Sequence, residues 1–98
     1  DSVSCHIGSQ ILDPAPVLQA VDRVLELIER LRARGFEITH ADLGGGLGVA
    51  YQAGQVTPSI EHYGSELARR LAGRGLSVMI EPGRSIVGEA GVLLTRVL

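Results

Sequence analysis

The 98-residue sequence lacks several features that would indicate particular classes of protein. It has nine arginines but no lysine, and its single cysteine is Cys5. One cysteine excludes an intramolecular disulfide framework and fits a reducing cytoplasm. The sequence also has no signal-peptide pattern and no apolar run near the length of a membrane span. These absences predict a cytoplasmic protein that does not act at a membrane.

The charge balance and the apolar content narrow the class further. The formal net charge of −2 argues against nucleic acid or an anionic membrane surface as the main partner. A hydrophobic content of 45% is enough for a buried core, which argues against a disordered chain. The sequence therefore predicts one small folded domain over residues 1–98.

Strand and helix patterns alternate along the chain. We predict, in order, a strand at 3–7, a helix at 13–35, a strand at 36–43, a helix at 57–73, a strand at 76–80 and a last strand at 91–98. Asp13 and Thr57, each followed by a proline, are the predicted helix N-caps. The strand at 76–80 is apolar except for Ser77, which favours a parallel sheet covered on both faces. The β-α-β-α-β order likewise predicts an α/β fold with a parallel sheet.

Three open turns lie at the carboxyl ends of the first three predicted strands: HIGSQ (6–10), GGGLG (44–48) and EPGRS (81–85). In parallel sheets and barrels this edge carries the ligand chemistry. The glycines at 44–46 allow the backbone to approach a ligand closely and to point N–H groups inward, which suits a phosphate. Ser9 adds a hydroxyl, Gly83 another amide, and Arg84 a permanently charged planar donor. We therefore predict a phosphate-binding edge.

Each of these features also has an ordinary structural interpretation, which the sequence leaves open. Glycines after a strand are often simple turn formers, and Asp42 is placed to cap its own glycine turn. A lone histidine such as His6 is more often packed and hydrogen-bonded than functional. A strand-end glutamate such as Glu81 is usually solvated. Only the coincidence of these residues on one edge favours phosphate binding.

The standard motifs for nucleotides, nucleophiles and metals are absent. A G-x-G-x-x-G pattern needs glycine where Val49 or Tyr51 stands, and a P-loop needs a lysine. No G-x-S-x-G nucleophile motif occurs. His6, His40 and His62 show no spacing typical of metal ligands, so we predict no metal site.

A family resemblance rests on three segments, in this order and at these separations: HIGSQ, DLGGGLG and EPGRSIVGEAGVLLTRV. They closely resemble the diaminopimelate decarboxylases. These are pyridoxal-phosphate enzymes of the alanine-racemase-like barrel class, related to the ornithine and arginine decarboxylases. The resemblance implies that residues 1–98 form a partial pyridoxal-phosphate-binding domain, the later part of a (β/α)8 TIM-type barrel.

The resemblance also implies a catalytic role for two residues that contact the cofactor, pyridoxal 5′-phosphate. His6 would pack against the face of the pyridine ring. Glu81 would pair with the pyridine nitrogen and keep it protonated, because a carboxylate beside that nitrogen favours the charged pyridinium. A protonated ring is the better electron sink for the carbanion that decarboxylation leaves.

The phosphate-binding residues that the resemblance implies are Ser9, Gly44, Gly45, Gly46, Gly83 and Arg84. Arg84 has a second candidate role, since it would bind either the phosphate or a carboxylate of the amino-acid substrate. Enzymes of this class hold the cofactor as a Schiff base on a lysine from an early strand. They are homodimers in which the partner subunit supplies a catalytic cysteine. This chain has no lysine, and Cys5 does not correspond to that cysteine, so we expect the chain alone to be inactive.

The activity implied for the whole enzyme is removal of CO2 from meso-diaminopimelate to give L-lysine. Two alternatives stay open. One is a sister decarboxylase of the ornithine or arginine type. The other is a non-catalytic α/β module that binds a phosphate ligand weakly or binds nothing.

Overall fold

The structure is a computed structural model that describes residues 1–97. Its elements are β1 (Ser2–Ser4), α1 (Ala15–Arg32), β2 (His40–Gly45), α2 (Ile60–Leu71), β3 (Ser77–Glu81) and α3 (Gly83–Val87). The three strands form one parallel sheet in the order β1-β2-β3. The predicted β-α-β-α-β order and the parallel sheet are therefore confirmed, with α1 and α2 as the connections between neighbouring strands.

The core lies between the helices and one face of the sheet. Its buried residues are Val17, Leu18, Val21, Val24, Leu25, Ile28, Ile38, Ala41, Leu43, Leu47, Tyr63 and Leu67. The α1 members recur every three or four residues, as the predicted amphipathic helix requires. In β2, Ala41 and Leu43 are buried in this core. Because side chains alternate along a strand, His40 and Asp42 point to the opposite face, which no helix within residues 1–97 covers.

The register of the sheet contains one irregularity, at the end of β2. Asp42 lies beside Met79, but Gly45 rather than Gly44 lies beside Glu81. The strand therefore carries one extra residue at the edge where the turns meet. Gly44 makes this bulge feasible, because its φ of 66° is a left-handed conformation that residues with a Cβ rarely adopt.

The helix N-caps are displaced from their predicted positions by one residue at α1, where Pro14 is the N-cap, and by two residues at α2. At α1, the Oδ1 of Asp13 accepts a hydrogen bond from the amide of Ala15 at 2.9 Å, close to the predicted capping role. At α2, Ser59 rather than Thr57 is the N-cap, and its hydroxyl accepts from the amide of His62 at 3.1 Å. Within residues 1–97, neither long helix has the apolar stretch needed to cross a membrane.

The prediction that the third strand is covered on both faces is wrong for the described chain. All five residues of β3 are exposed, with Met79 at 61% and Ile80 at 44%. β3 is an outer strand of the sheet and has β2 as its strand neighbour on one side. An apolar sequence alone does not bury a strand, because burial needs elements that pack over it.

The predicted last strand is also absent. Residues 91–97 form no strand, and Leu98 lies outside the described residues. Val92, Leu93 and Leu94 are 89–92% exposed, so no neighbour receives their side chains or their backbone hydrogen bonds. A strand forms only against a partner that accepts those bonds. The sequence interpretation also missed the short helix α3, which begins directly after the proline that follows β3.

Candidate functional site

The three glycines at the end of β2 bring the three turns into contact with one another. A Cβ on Gly44 would lie 2.4 Å from the carbonyl oxygen of Cys5, and one on Gly45 would lie 1.8 Å from that of the last residue of β3. A Cβ on Gly46 would lie 2.1 Å from the carbonyl oxygen of Gly8. No side chain fits at such distances. Each glycine therefore permits the close approach of a different strand end or turn.

Two of the glycine amides already have acceptors within the chain. The amide of Gly44 donates to Oδ1 of Asp42 at 2.9 Å, which confirms that Asp42 caps its own glycine turn. The amide of Gly45 donates to Nδ1 of His6 at 3.3 Å. Either amide must exchange this acceptor before it can bind a phosphate oxygen. The phosphate-binding roles of Gly44, Gly45 and Gly46 therefore stay predictions, and their close-packing role is what the geometry shows.

The contact with Gly45 fixes the orientation of the His6 ring. Because Nδ1 accepts a hydrogen bond, the proton of the neutral ring is carried by Nε2. His6 is nevertheless exposed. The structure thus combines the two interpretations of this histidine, since the ring is hydrogen-bonded to the backbone and yet accessible to a ligand at the sheet edge.

The carboxylate of Glu81 projects from the face of the sheet that the helices leave open. Ser77, Met79 and Glu81 are two residues apart in β3, so their side chains share one face of the sheet. Met79 and Ser77 lie beside Asp42 and His40 on that face. Glu81 is exposed, and within residues 1–97 its side chain makes no ion pair and no hydrogen bond. A carboxylate without a partner at this edge is available to a cationic group of a ligand.

Two further predicted phosphate ligands lie in the first and third turns. Ser9 is exposed beside Gly8, the residue that packs against Gly46. Gly83 is the first residue of α3, so its amide has no acceptor within that helix. Both groups are therefore open donors at the carboxyl edge of the sheet.

A glutamine in the first turn that the sequence interpretation did not single out connects the residue directly after the second turn with the third turn. Nε2 of Gln10 donates to the carbonyl of Val49 at 2.6 Å, and Oε1 accepts from the amide of Val49 at 3.3 Å. The same Oε1 accepts from Nη1 of Arg84 at 2.9 Å. Arg84 also lies over the ring of Tyr51, with 5.7 Å between the guanidinium carbon and the ring centroid. The only sequence signal for Gln10 is its place directly after HIGS.

A cluster of ion pairs on α2 perturbs the pKa of one of its acids. Hydrogen bonds from Arg69 and Arg70 hold the pKa of Glu66 at about 2, well below its ordinary value. Arg70 also donates to Oδ1 of Asp22 in α1 at 2.9 Å, which joins the two long helices. We therefore assign this cluster a structural role, the packing of α2 against α1.

Comparison with known proteins gives three consistent matches. A family profile described as "Pyridoxal-dependent decarboxylase, pyridoxal binding domain" matches residues 2–88. The chain is 53% identical, over 95 residues, to the diaminopimelate decarboxylase of Pseudomonas aeruginosa. That alignment covers 97% of this chain and 23% of the Pseudomonas aeruginosa protein. The crystal structure of Helicobacter pylori diaminopimelate decarboxylase complexed with L-lysine matches with a TM-score of 0.79 and 39% identity, over 87% of this chain and 21% of that chain.

A more distant solved structure has a different substrate in its name. The lysine/ornithine decarboxylase of Vibrio vulnificus, complexed with cadaverine, matches with a TM-score of 0.72 and 29% identity. That match covers 85% of this chain and 23% of the other. The chain therefore spans less than a quarter of the length of these relatives.

The profile match includes all three turns of the sheet edge. It confirms the family-level predictions of a pyridoxal phosphate cofactor and of a fold that is part of a TIM-type barrel. The individual site residues were not tested by these matches and stay predictions. The chain belongs to the pyridoxal binding domain family of the pyridoxal-dependent decarboxylases.

Proposed function

We propose that this chain is the part of a meso-diaminopimelate decarboxylase that contacts the ring nitrogen, one ring face and the phosphate of pyridoxal phosphate. The proposed reaction removes CO2 from meso-diaminopimelate and gives L-lysine. One observation carries the proposal. Within residues 1–97, an unpaired carboxylate and a cation without a carboxylate partner lie on the third turn, and a fixed imidazole lies on the first; the glycines at 44–46 bring these turns together. The 53% identity to the Pseudomonas aeruginosa enzyme supports the choice of substrate.

The chemistry of this edge fits pyridoxal phosphate. A phosphate dianion needs hydrogen-bond donors and positive charge, which Ser9, the amide of Gly83 and Arg84 offer. A protonated pyridine nitrogen needs an acceptor, which Glu81 offers. The flat ring needs a flat partner, and His6 presents an exposed imidazole. Bound pyridoxal phosphate supplies a conjugated ring that takes up the electron pair released when the bond to the carboxylate breaks.

Glu81 has the role most closely linked to the chemical step. Its carboxylate holds a proton at the pyridine nitrogen, because an adjacent negative charge stabilises the protonated form. Glu81 would stabilise the charge of the protonated nitrogen most where negative charge develops, in the transition state, so we expect its effect to fall on kcat. The main chain of Glu81 pairs with Gly45 in the sheet, which fixes the position from which the Glu81 side chain extends.

His6 and Arg84 act as binding groups in this proposal. The hydrogen bond from Gly45 to Nδ1 restrains rotation of the His6 ring, so the ring is already oriented before a cofactor packs against it. Arg84 binds an oxyanion, either the cofactor phosphate or a substrate carboxylate. The family resemblance further supports a cytoplasmic homodimer, a cofactor-binding lysine elsewhere in the enzyme and a cysteine from the partner subunit.

The proposal is tested by substrate selectivity in the full-length protein that contains this chain. We expect CO2 release and L-lysine formation from meso-diaminopimelate, with kcat/KM about a hundredfold or more above that for L-ornithine or L-arginine. A preference for ornithine or arginine would instead support the sister decarboxylase. Cofactor binding without CO2 release from any of the three would support a non-catalytic phosphate-binding module.

A further inference from the structure

We infer that Gln10 is a positioning residue that orients Arg84 and leaves its positive charge available to an oxyanion at the sheet edge. The inference rests on the proposed function for the identity of that oxyanion, which is the cofactor phosphate or a substrate carboxylate. Gln10 itself contacts neither group and acts through Arg84.

The side-chain amide of Gln10 is fixed in one orientation by the backbone of Val49. It donates to the carbonyl of Val49 at 2.6 Å and accepts from the amide of the same residue at 3.3 Å. Rotation of the amide by half a turn would place its NH2 group against the N–H of Val49 and against the guanidinium. Two pairs of donors would then face each other, so the oxygen must point towards Arg84.

The acceptor that orients Arg84 is neutral. A carboxylate in the same place would bind the guanidinium more strongly but would cancel its charge. Within residues 1–97, Arg70 and Arg74 pair with acidic side chains, whereas Arg84 does not. Arg84 is half-buried, and one of its five N–H groups is used by Gln10. The guanidinium is therefore directed by its surroundings and keeps its full charge for a ligand.

The backbone of Gln10 is strained in a way that places its side chain between the turns. Its φ is 58°, and within residues 1–97 it is the only non-glycine residue with a positive φ. The next residue, Ile11, holds this conformation by accepting from the amide of Gly48 at 2.9 Å and donating to the carbonyl of Gly46 at 2.8 Å. A non-glycine residue keeps such a backbone conformation only where neighbouring contacts hold it there. In this chain the conformation of Gln10 places its side chain in contact with Arg84.

The test compares Gln10→Met, Arg84→Met and the double variant in the full-length protein. The apo form of each is titrated with pyridoxal phosphate and with pyridoxal, which lacks the phosphate, and KM for meso-diaminopimelate is measured on the loaded enzyme. If the oxyanion is the cofactor phosphate, Gln10→Met weakens pyridoxal phosphate binding about tenfold and leaves pyridoxal binding unchanged. If it is the substrate carboxylate, KM rises by a similar factor and both cofactor affinities stay the same.

Two further variants separate positioning from loss of structure. Gln10→Asn suits the positive φ, since asparagine adopts it readily, but its shorter side chain should not reach Arg84, so the same loss is expected in a folded protein. Gln52→Met makes the same chemical change on an exposed side chain of the neighbouring loop and should have no effect. Thermal unfolding of each variant checks that the fold is kept.

The double variant decides whether Gln10 acts through Arg84. We expect Gln10→Met to have little further effect once Arg84 is already methionine. The inference is overturned if the loss is equally large in that background, if pyridoxal and pyridoxal phosphate weaken equally, or if all three constants are unchanged. If the Gln10 and Arg84 substitutions are coupled in cofactor affinity but the enzyme releases no CO2, only the proposed function is wrong. If the enzyme releases CO2 but the two substitutions are not coupled, only this inference is wrong.

Discussion

Glu81 and Arg84 are only three residues apart, yet the structure gives them different surroundings. The Glu81 carboxylate has no partner within residues 1–97, whereas Arg84 is held by Gln10 and Tyr51. An unpaired carboxylate such as that of Glu81 suits a group whose partner is a bound cofactor or substrate. The held guanidinium of Arg84 suits a binding group that must be oriented beforehand. Substitutions at the two positions should therefore change different kinetic constants.

Glu81→Gln in the full-length protein removes the negative charge and keeps the size of the side chain. In the proposed role Glu81 keeps the pyridine nitrogen protonated, so we expect loss of its charge to lower kcat about a hundredfold or more. KM and cofactor affinity should change much less. Steady-state kinetics with meso-diaminopimelate measure this, and Glu89→Gln is a control on an exposed acid nearby. An unchanged kcat would show that Glu81 is only a strand-end carboxylate.

The sequence predicted the helices and the strand order better than it predicted contacts between elements. The α1 periodicity and the apolar run of β3 are local signals, and both elements form. The bulge in β2 and the bridge made by Gln10 depend on residues far apart in sequence, such as Gln10 and Arg84 at 74 positions, which no local pattern encodes. The last strand at 91–98 was wrong for a related reason. A strand is defined by its neighbour, and residues 91–97 have none.

The same contrast explains which site residues could be identified. His6, Ser9 and Glu81 stand at strand ends that the alternating pattern locates, so their common edge was predictable. The hydrogen bond between His6 and Gly45 was not, because it joins two turns. Family resemblance supplied the individual roles, and geometry alone supplied Gln10.

Gly45→Ala tests the close approach of β2 and β3. The added Cβ would lie 1.8 Å from the carbonyl oxygen of Glu81, so the two strand ends must separate. We expect a loss of about 1–3 kcal/mol in the free energy of unfolding, together with weaker cofactor binding. Gly64→Ala is the matched control, since a Cβ there meets nothing within 4 Å and lies in α2. It should stabilise the protein by about 0.5–1 kcal/mol. Unaltered stability of Gly45→Ala would contradict the packing argument.

The ion-pair cluster of α2 should make stability depend on acidity. Pairing with Arg69 and Arg70 lowers the pKa of Glu66 to about 2 from an ordinary 4.5. The cluster therefore stabilises the fold fully above the ordinary value, and this contribution is lost as the pH falls from about 4.5 towards 2. Glu66→Gln should reduce the fall in the thermal unfolding midpoint between about pH 6 and about pH 3. Arg70→Met should reduce it as well. A parent-like pH dependence in both variants would show that the cluster does not contribute.

At the scale of the whole molecule, the described chain is extended and exposes apolar surface. Its radius of gyration is 16.4 Å, whereas a compact domain of this length has about 13 Å. β1 and β3 have open edges, and Val78, Met79 and Ile80 are exposed on the outer strand. Such edges and apolar faces bind other strands or other copies of the chain.

The isolated 98-residue chain should therefore self-associate or fold loosely, and it should not decarboxylate meso-diaminopimelate. The second expectation follows because the chain has no lysine amine to attach the cofactor. Sedimentation, calorimetry and CO2 release with added pyridoxal phosphate measure both properties. A monomer with a sharp unfolding transition, or measurable CO2 release, would contradict this prediction.

A chimera tests whether these residues form the cofactor-contacting edge of a meso-diaminopimelate decarboxylase. The matching segment of the Pseudomonas aeruginosa enzyme, 95 aligned residues, is replaced by that of this chain. We predict that the purified chimera converts meso-diaminopimelate to L-lysine with a kcat within about tenfold of the parent enzyme. A chimera that folds and binds pyridoxal phosphate but releases no CO2 would contradict the claim.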